Sequence, residues 1–186
     1  MNEQQDTHDD EEDEYQEPMI RIPENFKNLA EYETWLHRKV CLTFTVREYV
    51  GYFSADGRYQ GCILIEPDEY TLKLEWNLSP AQKNLLRGKT VTHNHPSEGT
   101  FSYDEVLTCA DLQFIEFRVV TPFFTYSLRP KDGEWPPWQE IQRRIEDHIP
   151  PAKLELFKRD SDARHRCYES LSHEGYFKYE KTPRFY

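Results

Sequence analysis

His93 and His95 are separated by one residue in the stretch Lys89 to His95, which reads as a strand stopped by Pro96. Successive strand side chains alternate between faces, so both imidazoles share a face with Val91. Two imidazoles at this spacing can bind one cation. A zinc ion in a hydrolytic site takes three protein ligands, drawn from His and carboxylate, and leaves a position for water. The third ligand has to come from the carboxylates that follow. Asp104 and Glu105 are at hand, across a loop containing Glu98 and Gly99 and at the start of a helix opened by Ser102. Ser102-Tyr103-Asp104-Glu105 also has the form of a capping box, in which Ser102 bonds a free helix N–H and Glu105 reaches back. Glu105 is therefore a cap, a ligand or both, with Asp104 as the competing ligand.

A hydrolytic site also needs a base. Leu42, Phe44, Val46, Glu48, Val50 and Tyr52 alternate along what reads as a strand beginning at Leu42, which makes Glu48 the one charge on an apolar face. A carboxylate so placed is costly unless paired or put to use, and desolvation raises its pKa toward the range of a base near neutral pH. A salt bridge to an Arg or Lys is the structural alternative.

These residues need elements to hold them. Asn28 to Lys39 has helical character, with Leu29, Tyr32, Trp35 and Leu36 as its apolar stripe. Ala55-Asp56-Gly57-Arg58 is a hairpin turn leading to a strand over Tyr59 to Glu66, and Thr71 to Trp76 reads as a third strand. Ser79-Pro80 opens a short helix that Gly88 ends. Ser102 starts a helix to about Phe114, and Phe117 to Leu128 supplies two strands around Thr121-Pro122. Trp138, Ile141 and Ile145 mark a further helix, broken at Ile149-Pro150-Pro151. One more helix runs to about His173, Gly175 ends it, and Tyr176 to Lys181 forms a closing strand. The alternation of strands and helices, with some hairpins, predicts a mixed α/β sandwich.

The 186 residues suit one domain, and Tyr, Phe and Trp at 15% can build its core. Nine acids and no Lys or Arg fall within residues 1–20, so the net charge of −11 drops to −2 in the rest. This predicts a disordered acidic tail over 1–22 and a single domain over 23–186. No basic excess favours nucleic acid as a partner. Cys41, Cys62, Cys109 and Cys167 are widely spaced, which excludes a C-x-x-C zinc cluster and fits buried thiols of a reducing compartment. No apolar stretch reaches membrane-spanning length and the acidic start is no secretory signal, so a cytoplasmic location without membrane contact is expected. His37, His148, His165 and His173 lie on charged helical stretches and read as solvated surface, as does a basic face of Lys158, Arg159, Arg164 and Arg166.

Thr92-His93-Asn94-His95-Pro96-Ser97, followed by Phe101-Ser102, resembles the signature of the JAB/MPN (JAMM) metallopeptidases, in particular the RadC-like branch found also in phage head proteins and bacterial toxins. Phe117 to Pro122 and Thr125 to Pro130 look like the strand pair that follows the site in those members, so the likeness covers about Val46 to Pro130. The resemblance implies a JAB/MPN-like, cytidine deaminase-like sandwich. It implies Zn2+ held by His93, His95 and a carboxylate, Glu48 as base and Ser102 as the oxyanion donor. Its implied activity is peptide or isopeptide hydrolysis by a zinc-activated water, with a protein or peptide as substrate. One position departs: the family pattern is Ser-x-x-Asp, whereas Glu105 fills that register here and Asp104 precedes it. A non-catalytic JAB-like protein-interaction module of phage, toxin or defence origin is the alternative expectation. An HNH nuclease is excluded, because its three named residues are spread over a hairpin and a helix rather than adjacent.

Overall fold

A computed structural model describes residues 20–43, 46–66, 78–95 and 99–184. The acidic run of the expected tail, the expected strand Thr71 to Trp76, and Ser97 and Glu98 lie outside the described residues. Six strands form one mixed sheet among them: β1 Glu48–Phe53, β2 Tyr59–Ile65, β3 Thr90–Asn94, β4 Glu116–Val120, β5 Phe124–Pro130 and β6 Phe177–Pro183, in the order β2-β1-β3-β4-β5-β6. β3 and β4 run parallel and the other neighbours antiparallel. A parallel pair needs a crossover. Here it contains the helix α3 Tyr103–Asp111, entered from the C-terminal end of β3, just past His95.

The other helices are α1 Leu29–Trp35, α2 Pro80–Leu86, α4 Trp138–His148, α5 Leu154–Arg159 and α6 Ser161–Glu174. They cover the sheet on both faces. On one, Val50, Val91, Phe117, Val119 and Leu128 pack with Val106 and Cys109 of α3, Ile141 and Ile145 of α4, and Tyr168 and Leu171 of α6. On the other, Tyr49, Phe53 and Val120 pack with Phe26, Tyr32, Leu36 and Val40. Tyr32 meets Phe26, Phe53 and Tyr59 at ring-centroid distances of 4.9 to 5.8 Å, pairings worth about 0.5–1.5 kcal/mol each beyond burial. Ile20 and Ile22, placed at the end of the expected tail, pack against this second cluster.

Several boundaries differ from those expected. Asn28 caps Glu31 N–H and α1 begins as anticipated, but after Trp35 the chain continues as a π-helical turn, Leu36–Val40. The strand expected from Leu42 is absent at that point: Cys41–Thr43 is a 3-10 turn, and β1 begins only at Glu48. Leu42 and Val46 are 45% and 46% exposed, so neither belongs to a buried apolar face before Glu48, and Phe44 lies outside the described residues. Alternation misled because β1 is covered on both sides, and such strands bury nearly every residue. The single helix expected up to His173 is split in two, since Asp160 accepts from Ala163 N–H and starts a new helix, α6. Gly175 ends α6 with φ +90°, a left-handed conformation that glycine adopts without a Cβ penalty. No helix among the described residues is long and apolar enough to cross a membrane.

Candidate metal centre

β1, β3 and the first turn of α3 bring four side chains together. Glu48 opens β1, His93 lies in β3, His95 follows it, and Glu105 sits in the first turn of α3. One ligand atom from each lies within 4.8 Å of all the others, and all four residues are buried. Nε2 of His93 and Nε2 of His95 are 3.0 Å apart, and Oε1 of Glu105 is 2.8 Å from the first and 3.1 Å from the second. Oε1 of Glu48 stands further back, 3.9 Å from His95 Nε2. Asp104, the competing ligand, is exposed and outside the group. It occupies the solvent side of α3, one position and about 100° of helical turn away from Glu105.

Glu105 is the helix cap and is also placed where a metal ligand would have to stand. Its Oε2 accepts from Ser102 N–H, while its own N–H donates to Ser102 Oγ at 3.2 Å, completing the capping box. That leaves Oε1 directed at the two rings. The longer Glu arm is thus tied down at one oxygen and presents the other. Ser102 serves as the cap and keeps its own hydroxyl proton for donation elsewhere.

The imidazoles are set from behind. Nδ1 of His95 lies 3.0 Å from the Gly99 carbonyl, which can only accept, so the proton sits on Nδ1 and Nε2 of the neutral ring offers its lone pair to the cluster. The His93 ring stacks on Phe117 at 5.0 Å between centroids. Burial pulls the His95 pKa down, but the carboxylates of Glu105 and Glu48 outweigh it and raise it to about 9. Burial likewise opposes ionisation of Glu105, and the adjacent His95 and His93 more than offset it, holding this carboxyl well below its usual range.

This donor set fits a cation. Tetrahedral zinc with nitrogen and oxygen ligands about 2.0–2.1 Å away has ligand-to-ligand edges of about 3.3 Å, close to the triangle of 2.8, 3.0 and 3.1 Å. Hydrogen bonds cannot satisfy all three edges: protons on both Nε2 atoms serve Glu105, but they set donor against donor across the 3.0 Å Nε2–Nε2 edge and make His95 an imidazolium. With neutral rings, Glu105 brings a buried negative charge, at 2% exposure, beside two nitrogen lone pairs, and a cation balances it. These four residues can hold a metal ion.

Asn94 does unanticipated work between the two histidines. It points to the opposite face of the sheet, where its Oδ1 accepts from Tyr49 N–H at 2.8 Å and its Nδ2 donates to the Arg47 carbonyl at 2.9 Å. The side chain therefore grips the backbone on either side of Glu48 and aims that carboxylate at the cluster. The sequence carries no signal of this, because the burial that obliges the amide to find partners is seen only in the fold. Two expectations about surface residues are overturned. His37 is buried, with Nε2 3.0 Å from the Pro122 carbonyl. Arg164 is buried too, its Nε donating to the Phe101 carbonyl at 2.9 Å. Helical charge patterning missed both because it cannot see a backbone carbonyl supplied by a distant loop.

No family model, curated protein or solved structure matches the chain.

Proposed function

We propose that the chain is a zinc-dependent hydrolase of amide bonds, a peptidase or isopeptidase of the JAB/MPN kind. The observation that carries this reading is the buried convergence of Glu48, His93, His95 and Glu105, with Glu48 set back from the other three. His93, His95 and Glu105 would hold the ion. When bound, it supplies Lewis acidity, polarising a scissile carbonyl and lowering the pKa of nearby water. Glu48 takes the proton from the attacking water and returns it to the leaving nitrogen. Asn94 keeps Glu48 aimed during both transfers. Ser102, whose Oγ already accepts from Glu105 N–H, directs its hydroxyl proton toward the developing oxyanion. The peptide or isopeptide substrate class comes from the sequence resemblance alone.

Glu48→Gln separates the base from the ligands. The variant should keep its zinc, measured by elemental analysis, while hydrolysis of fluorogenic peptide and isopeptide-linked substrates falls by about 10²–10⁴-fold. Full hydrolysis by Glu48→Gln would remove Glu48 from the mechanism, and absence of hydrolysis by the zinc-loaded wild-type chain across both substrate types would contradict the assigned class.

A further inference from the structure

The segment from Gly99 to Ser102 carries both supports of the cluster: the Gly99 carbonyl that orients His95, and the Ser102 cap that orients Glu105. Its backbone is held almost residue by residue from one helix. Ser161 Oγ accepts from Thr100 N–H at 3.0 Å, Arg164 Nε donates to the Phe101 carbonyl at 2.9 Å, and Tyr168 Oη donates to the Ser102 carbonyl at 3.2 Å. Residues 161, 164 and 168 follow the three-then-four spacing of a single helical stripe. This is a polar stripe turned inward: Arg164 and Tyr168 are buried, and Arg164 also donates from a terminal nitrogen to the Lys158 carbonyl at the end of α5. A fourth hold comes from β6, where Tyr179 Oη lies 2.7 Å from Thr100 Oγ1.

We propose that Ser161, Arg164 and Tyr168 are positioning residues of the metal centre: the inward stripe of α6 sets the backbone of residues 100–102 and thereby the approach of Glu105 and His95 to the ion. The inference rests on the metal centre proposed above. Burying a guanidinium is costly when apolar residues could fill the space. Its two backbone carbonyls fix a loop in place. Residues that orient metal ligands typically alter affinity 10- to 100-fold when replaced.

The test is zinc affinity, by chelator competition, in the full chain and in Ser161→Ala, Arg164→Gln and Tyr168→Phe, alongside the visible absorption spectrum of each cobalt-loaded form. Cys167→Ala is the control, a buried α6 position outside the stripe. Affinity should fall by roughly tenfold or more in Arg164→Gln and Tyr168→Phe, with a changed cobalt spectrum. Arg164→Lys should recover part of the loss, and Cys167→Ala should bind like the wild type. Wild-type affinity and spectrum in all three stripe variants would overturn this inference alone. Equal weakening in Cys167→Ala would overturn it too, by reducing the stripe to general support of the fold. A wild-type chain that binds no zinc would overturn the metal centre and this inference with it.

Discussion

At the residue scale the site turns on two atoms of one side chain. Glu105 was legible as a cap or a ligand; the cap is present, and the two readings are compatible because its two oxygens face different ways, Oε2 toward Ser102 N–H and Oε1 toward the histidines. The His pair was legible from spacing alone, since a two-residue step on a strand leaves only one geometry. Glu48 was reached by a partly false route: it is buried in the cluster, but Leu42 and Val46, expected on the same apolar face, are exposed. Asn94 and Arg164 were not legible as site residues, because each acts on backbone from an element distant in sequence. One prediction belongs here. With its pKa raised to about 9, His95 is protonated at neutral pH in the metal-free chain, and that proton competes with the cation. Zinc binding near pH 7 should therefore release about one proton per ion and tighten roughly tenfold per unit as pH rises toward 9. Calorimetry in buffers of different ionisation enthalpy reads the proton count; no proton release at pH 7 would show that His95 does not carry the charge assigned to it.

At the element scale the sheet order matters more than any one strand. β1 and β3 are neighbours, which places Glu48 beside the His pair although more than forty residues separate them in sequence. The hairpin, the helix starts at Ser79 and Ser102 and the stop at Gly175 were readable from local chemistry, because caps and turns need only a few adjacent residues. The π-helical turn after Trp35 and the split at Asp160 were not, because packing decides them. α1 reaches the site indirectly, through the back of β1. Tyr32 crosses over Gly51 and bonds the Tyr49 carbonyl at 3.1 Å, and a Cβ added at Gly51 would meet the Tyr32 ring at 2.5 Å. Gly51→Ala should consequently destabilise the fold by about 1–3 kcal/mol. For a chain of this size that lowers the melting temperature by about 2–4 °C per kcal/mol. Thermal denaturation checks it, and an unchanged midpoint would mean that this contact can relax freely.

At the scale of the whole molecule, a mixed α/β fold with helices on both faces of one sheet was readable from the alternation of elements, whereas the strand order was not, since pairing between distant segments leaves no local pattern. The site lies at the carboxyl end of β3, where the parallel pair β3 and β4 meets its crossover helix, the end of the strands at which open α/β sheets generally bind ligands. A hydrophobic cluster packs on either face of the sheet around that junction. The central claim is that the junction is a metal centre, and metal content decides it. Wild-type chain equilibrated with zinc, desalted and analysed by elemental mass spectrometry should retain about one equivalent, and His95→Ala treated identically should retain about none. A folded wild-type chain that retains no zinc, or a His95→Ala chain that retains as much as the wild type, would contradict it.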